Sequence, residues 1–135
     1  MIYVFLATGF EDIEALAPVD IMRRASLQVK TVSITNEQIV ASAHGVGIVA
    51  DMLLSEVDFE QAKMLVLPGG MPGAANLDAC EQLTQAIDNH SKAGGAIAAI
   101  CAAPATAAAA IIAIAGIGHV LTAAIDIESA VLINA

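Results

Sequence analysis

The chain has no tryptophan, a single tyrosine and three phenylalanines, so aromatic residues make up only 3% of it. No aromatic stripe is available to stack bases, and no Trp or Tyr belt marks a membrane interface. Basic residues are equally scarce: five Lys and Arg against fourteen Asp and Glu leave a net charge of −9. A surface of that sign has no basic patch with which to neutralise phosphates, which argues against a nucleic-acid partner. The two cysteines, Cys80 and Cys101, build neither a disulfide framework nor a metal-ligand spacing, and fit a reducing, cytoplasmic setting. Met1 leads straight into an apolar run with no basic segment before it, so no secretory leader is expected. Charge is missing altogether from Ala93 to Ile125, a run longer than a membrane span requires. Gly94, Gly95, Pro104, Gly116 and Gly118 interrupt that run, and a buried strand followed by a buried helix accounts for it without a bilayer.

What is present is apolar bulk. At 135 residues and 58% hydrophobic, the chain is long enough for one domain with a real core, and we take residues 1–135 as that single domain. Ile2 to Ala7, Val29 to Ile34 and Met64 to Leu67 are short apolar, β-branched runs, the pattern of strands buried on both faces of a parallel sheet. The run ending at Ile100 is a fourth. Glu11 to Ala25 reads as a helix, with Thr8 and Glu11 at the spacing of a capping box and Pro18 expected to kink it. Gln38 to Asp51 suggests a hairpin or an irregular excursion around His44-Gly45, and Val57 to Ala62 a surface turn or short helix. Met71 to Leu77 reads as a loop. Ala79 to Lys92 is an amphipathic helix with Leu83, Ala86, Ile87 and His90 as its inner stripe, stopped by Gly94-Gly95. The closing residues, Ser129 to Ala135, read as a strand. Such alternation predicts an α/β protein with a parallel sheet covered by helices on both sides, its sites at the carboxyl ends of the strands.

Three of those strand ends carry unusual residues. Cys101 stands where an apolar strand breaks into small residues that open a helix, the setting of a nucleophile elbow. There a thiolate gains from the helix N-terminus. Gly69 and Gly70 follow the Met64 to Leu67 strand and let backbone N–H groups approach a reacting carbonyl. Glu11, Asp12 and Glu14 open the first helix, and any of the three could supply a carboxyl to move a proton. Each feature also has a plain explanation. Cys101 could be a small buried hydrophobe, Pro-Gly-Gly is common loop chemistry, and acidic residues suit a first helical turn. Of the three histidines, His119 alone is placed even roughly as a base for Cys101. Cys80 reads as structural. No metal ligand set and no cofactor motif is found.

The segments Glu11-Asp-Ile-Glu-Ala15, Pro18-Val-Asp-Ile-Met-Arg-Arg-Ala25, Val66-Leu-Pro-Gly-Gly-Met-Pro-Gly-Ala74, Asn76-Leu77 and Ala98-Ala-Ile-Cys-Ala-Ala-Pro104 together resemble the DJ-1/ThiJ/PfpI superfamily, and within it the short bacterial ThiJ-like branch. The resemblance implies a flavodoxin-like three-layer α/β/α sandwich, a homodimer, and a strand–Cys–helix elbow with Cys101 as the reactive, oxidation-prone nucleophile. It makes Glu14 the partner carboxyl, protonated to donate to the thiolate, and Gly70 and Ala102 the oxyanion donors. Activities it brings are glyoxalase or deglycase chemistry on reactive carbonyls, a redox-sensing chaperone role in oxidative stress, and a cysteine peptidase of the protease I kind. Its older labels include thiazole monophosphate biosynthesis. Beyond Thr106 the likeness fades. Val120-Leu-Thr-Ala-Ala124 stands where the family often has a histidine, and the later Gly-Pro-Gly segment and C-terminal helix have no counterpart. The expectation is a chain lacking the family's usual C-terminal part.

Overall fold

The computed structural model describes residues 1–101 and the backbone of Ala130–Ile133. The described residues form eight strands: β1 (Ile2–Leu6), β2 (Val29–Ser33), β3 (Ile39–Ala41), β4 (Gly47–Val49), β5 (Met52–Leu53), β6 (Met64–Leu67), β7 (Ala96–Ile100) and β8 (Ala130–Ile133). The helices are α1 (Asp12–Arg24), α2 (Gly73–Asp78) and α3 (Glu81–Lys92). Six strands form one sheet in the order β5-β2-β1-β6-β7-β8, parallel except for the antiparallel β8. β3 and β4 pair as a separate antiparallel hairpin, so the excursion predicted from Gln38 to Asp51 is a hairpin.

The side-chain alternation of a strand divides the core in two. Tyr3, Phe5 and Ala7 of the β1 segment pack with Leu65, Leu67 and Ile97 beneath Leu77 of α2 and Leu83 and Ile87 of α3. Val4, Leu6 and Val66 face the other way, against Ala15 and Val19 of α1 and against Phe10. Helices therefore cover both faces of a mostly parallel sheet, the flavodoxin-like three-layer arrangement. Each fully buried Leu or Phe at these positions contributes about 1.5–3 kcal/mol by leaving water.

Local details differ from the sequence reading. Thr8 does not cap α1; Glu11 does, its Oε2 accepting the Glu14 N–H at 2.8 Å. Both residues carry acceptor oxygens, and the tight turn through Gly9 brings Glu11 into the capping position. α1 runs through Pro18 without interruption. Part of the loop expected over 71–77 is the short helix α2, which the sequence reading missed because Pro72 and Gly73 read as loop residues. Phe59–Gln61 forms one 3-10 turn, within the stretch read as a surface turn. On α3, Leu83 and Ile87 are buried, whereas Ala86 and His90 are half-buried. Among the described residues no helix is long and apolar enough to cross a membrane. The alanine-rich stretch from Ala102, the membrane-length run beyond Cys101, Ala102 itself and His119 lie outside the described residues.

Candidate functional site

β1, β6 and β7 are neighbours in the sheet, so the turns leaving their carboxyl ends meet on one edge. The first turn carries Glu11 and the start of α1, the second Pro68-Gly69-Gly70, and the third Cys101.

Gly69 joins all three. Its N–H donates to Glu14 Oε2 at 2.7 Å, and its carbonyl accepts the Glu11 N–H at 3.0 Å. A Cβ placed on Gly69 would fall 2.6 Å from Glu14 Oε2, 2.8 Å from the Ile100 carbonyl oxygen and 2.9 Å from Cys101 Cβ. No side chain fits between them. The carboxylate of Glu14 and the side chain of Cys101 thus face each other across a bare glycine, each less than a van der Waals contact from the same point. The Gly69 N–H, one of the groups expected to face a reacting carbonyl, is given to Glu14. Gly70 stands at φ 94°, in the left-handed region, and no described residue accepts its N–H.

Cys101 is half-buried and has φ 53°. The left-handed region costs a non-glycine residue about 1–2 kcal/mol, because Cβ crowds the following carbonyl. A bend of that kind lifts the residue out of the strand direction, and such strain is typical of functional elbows. Cys80, by contrast, precedes the first residue of α3 and packs against the core beneath it.

The three carboxylates of the first helical turn have separate tasks. Glu14 reaches Gly69, Glu11 caps the helix, and Asp12 points to the β3–β4 hairpin, where its Oδ2 lies 2.7 Å from His44 Nδ1. The Ser42 hydroxyl and then the His44 imidazole hold the Asp12 carboxyl below the usual carboxylate range. In return, the hydrogen bond and charge of Asp12 raise His44 above the ordinary histidine value. Sequence reasoning left His44 in the excursion without a role. Its partner is 32 positions away, and only the hairpin's placement brings the two together. Glu11, Asp12 and His44 each bring a polar atom within 4.8 Å of the others, an approach that capping of α1 by Glu11 and the Asp12–His44 pair account for without a metal ion.

A groove of about 590 Å³ lies elsewhere, lined by Phe59, Glu60, Asn89, His90 and Gly95 among others. It sits at the start of β7, whereas Cys101 follows its end, about 17 Å along a five-residue strand. The strained cysteine, the Glu14 carboxyl and the glycine pair converge at the strand ends, away from that groove.

Known proteins are similar to this chain over most of its length. "Protein DJ-1 homolog B" of Arabidopsis thaliana is 37% identical over 102 residues, covering 76% of this chain and 23% of the relative. "Glutathione-independent glyoxalase DJR-1.2" of Caenorhabditis elegans is 35% identical over 94 residues, covering 70% of this chain and 50% of the relative. The chain thus spans half or less of the length of these two curated relatives. Among solved structures, oxidized Toxoplasma gondii DJ-1 superposes with a TM-score of 0.77 at 37% identity, over 81% of this chain and 60% of that one. The profile of the DJ-1/PfpI family matches residues 1–131, and the chain belongs to that family.

Proposed function

We propose that this protein is a cysteine-dependent enzyme acting on reactive carbonyls, with glyoxalase- or deglycase-like chemistry. The observation that carries this reading is the bare glycine wedge: Glu14 Oε2 and Cys101 Cβ both lie within 3 Å of the position a Gly69 side chain would take. A sulfur nucleophile and a proton-carrying carboxyl at such close quarters are what addition of a thiol to an aldehyde requires. Cys101 sulfur attacks the aldehyde carbon and a C–S bond forms. The carbonyl π pair moves to oxygen, and the thiol proton passes through Glu14 to that oxygen. The Gly70 N–H steadies the negative charge on oxygen as it develops. For a 2-oxoaldehyde, the proton on the former aldehyde carbon then moves to the neighbouring carbon through an enediol, and the hydroxyl proton passes from the first oxygen to the second, so that the C=O ends on the carbon bonded to sulfur. Water hydrolyses the resulting thioester, returning the thiol and releasing a 2-hydroxy acid. The nematode relative named as a glutathione-independent glyoxalase points the same way.

A second reading has its own support: the oxidized form in which the Toxoplasma gondii relative was solved. In it Cys101 is a redox sensor, oxidised to a sulfinate that Glu14 hydrogen-bonds, with a chaperone-like role in oxidative stress. The peptidase alternative draws on no observation of this chain. Under either supported reading we take the protein to be a single-domain, cytoplasmic homodimer. Exposed Ile13 and Ile21 on α1, with Ile39 and Val49 paired on the hairpin, supply apolar surface for a second copy.

Methylglyoxal turnover by wild type and by Cys101→Ser separates the readings. The enzyme reading expects turnover that the variant loses. Absence of turnover in wild type, together with selective peroxide oxidation of Cys101 over Cys80, would refute it in favour of the sensor. Casein cleavage by the wild-type oligomer would reinstate the peptidase.

A further inference from the structure

The β3–β4 hairpin is stitched to the segment that launches α1. Gly9 N–H donates to the Ala41 carbonyl at 2.8 Å, and Ala43 N–H to the Phe10 carbonyl at 2.8 Å. Phe10 and Ser42 form a β-bridge between those two bonds. The buried Ser42 turns the hairpin, its Oγ accepting the N–H groups of His44 and Val46 at 3.2 and 3.1 Å. Asp12, the first residue of α1, closes the circuit through the Ser42 hydroxyl and His44 Nδ1. Two residues on, Glu14 meets Gly69.

We propose that His44 is a positioning residue: by pairing with Asp12 it holds the first turn of α1 against the hairpin, and so holds the Glu14 carboxyl beside Cys101. The proposal rests on the reading that Cys101 and Glu14 act together. A rigid first turn matters because Glu14 reaches Gly69 from a helix whose opening residues are otherwise the most easily frayed part. The chemistry of the pair adds a condition. The charged groups facing His44 are Asp12 and Glu11, both at the start of α1, and the hairpin from Ala41 to Gly47 contributes none. An imidazolium between them binds more tightly than a neutral ring. The brace is therefore firm when His44 is protonated and slackens as pH rises past its elevated pKa.

The test follows alkylation of Cys101 by iodoacetamide in the full chain, by peptide mass spectrometry, from pH 6 to 9. Wild type is compared with Glu14→Gln, His44→Ala, His44→Arg and Asp12→Asn. His44 is exposed, so its replacement leaves the core intact, and Asp12→Asn breaks the same pair from the other side. At pH 6, His44→Ala and Asp12→Asn should change the rate in the same direction as Glu14→Gln, by about two- to fivefold, the factor one exposed ion pair carries. His44→Arg, charged at every pH, should match wild type there. As pH rises, wild type should depart from His44→Arg and approach His44→Ala. Wild-type rates in both His44→Ala and Asp12→Asn, or a wild type that follows His44→Arg to pH 9, would overturn the proposal. If Glu14→Gln also reacts at the wild-type rate, the partnership of Glu14 with Cys101 fails. If Glu14→Gln alone changes the rate, only the role of His44 fails.

Discussion

Gly69→Ala puts the geometry of the site to its hardest test. Gly69 does not need its lack of a side chain for its backbone angles, since its φ is outside the left-handed region. By conformational entropy alone the change should stabilise by about 0.4–1 kcal/mol. The new methyl, however, would meet the Ile100 carbonyl at 2.8 Å and Cys101 Cβ at 2.9 Å. Neither can swing aside, because β6 and β7 are held in register, Leu67 opposite Ala99. Overpacking of that kind costs about 1–3 kcal/mol. The third neighbour, Glu14 Oε2 at 2.6 Å, is the movable one. Pushing it away strands the N–H of buried Gly69, which adds about 1–3 kcal/mol. The net expectation is a loss of about 2–4 kcal/mol, read as a lower urea midpoint, together with a changed rate of Cys101 alkylation. Gly47→Ala is the control. Its Cβ would touch only Ile39 Cγ2, at an ordinary 3.4 Å, so this variant should be as stable as wild type or more stable by up to about 1 kcal/mol. A Gly69→Ala protein as stable as the Gly47→Ala control, with Cys101 reacting as in wild type, would show that the three loops do not converge as described.

Two histidines should give stability opposite pH signatures. Burial holds His90 below the ordinary histidine value, outweighing a backbone hydrogen bond at Ala96, so the unfolded chain binds the extra proton on acidification. Its contribution is complete above about pH 6.5 and is lost as pH falls from there through the lower folded pKa. His44, raised by Asp12, contributes fully below about pH 6.5 and loses its contribution as pH rises through its folded pKa. Urea midpoints across pH 5 to 9 should lose their acid-side decline in His90→Gln and their alkaline-side decline in His44→Ala; the reverse assignment would contradict both environments. Burial alone would raise Asp51. The Thr31 N–H and hydroxyl, with the charges of Arg23 and Lys30, outweigh it and hold the carboxyl below its usual range. Asp51→Asn should lower stability at pH 7 by about 1 kcal/mol, less than the ~1.5–3 kcal/mol of a buried charged hydrogen bond because the side chain is partly exposed. The gap to wild type should close as pH falls through the folded pKa, and a gap that persists unchanged at pH 2 would count against this account.

Much of the fold was legible because a parallel sheet buried on both faces writes itself as unbroken apolar runs, as in Ile2 to Ala7 and Met64 to Leu67. What escaped was short or lay behind a misleading residue. β5 is two residues long, below any periodicity, and α2 begins at Gly73 directly after Pro72. The strand ends could be read as a meeting place from the alternating strand–helix pattern, because sites in such sheets form at the carboxyl ends of the strands. Which side chain answers which partner could not be read that way.

The choice among Glu11, Asp12 and Glu14 depends on helix phase, and here capping and site are one problem. At about 100° per residue, starting α1 one position later would turn Glu14 off the sheet and bring another residue toward Gly69. The phase is set where Glu11 Oε2 takes the Glu14 N–H and the Glu11 N–H is given to the Gly69 carbonyl. Glu14 then returns to the same peptide unit's neighbour by accepting the Gly69 N–H. Gly69 therefore reads the helix start through both of its polar groups, and a single glycine couples the cap, the carboxyl and the bend at Cys101. An acidic first turn that looks like routine dipole chemistry in the sequence becomes a positioning device only because Gly69 leaves room for it. Substituting Glu11 should consequently disturb Cys101 chemistry as well as helix stability, through the helix phase that it sets.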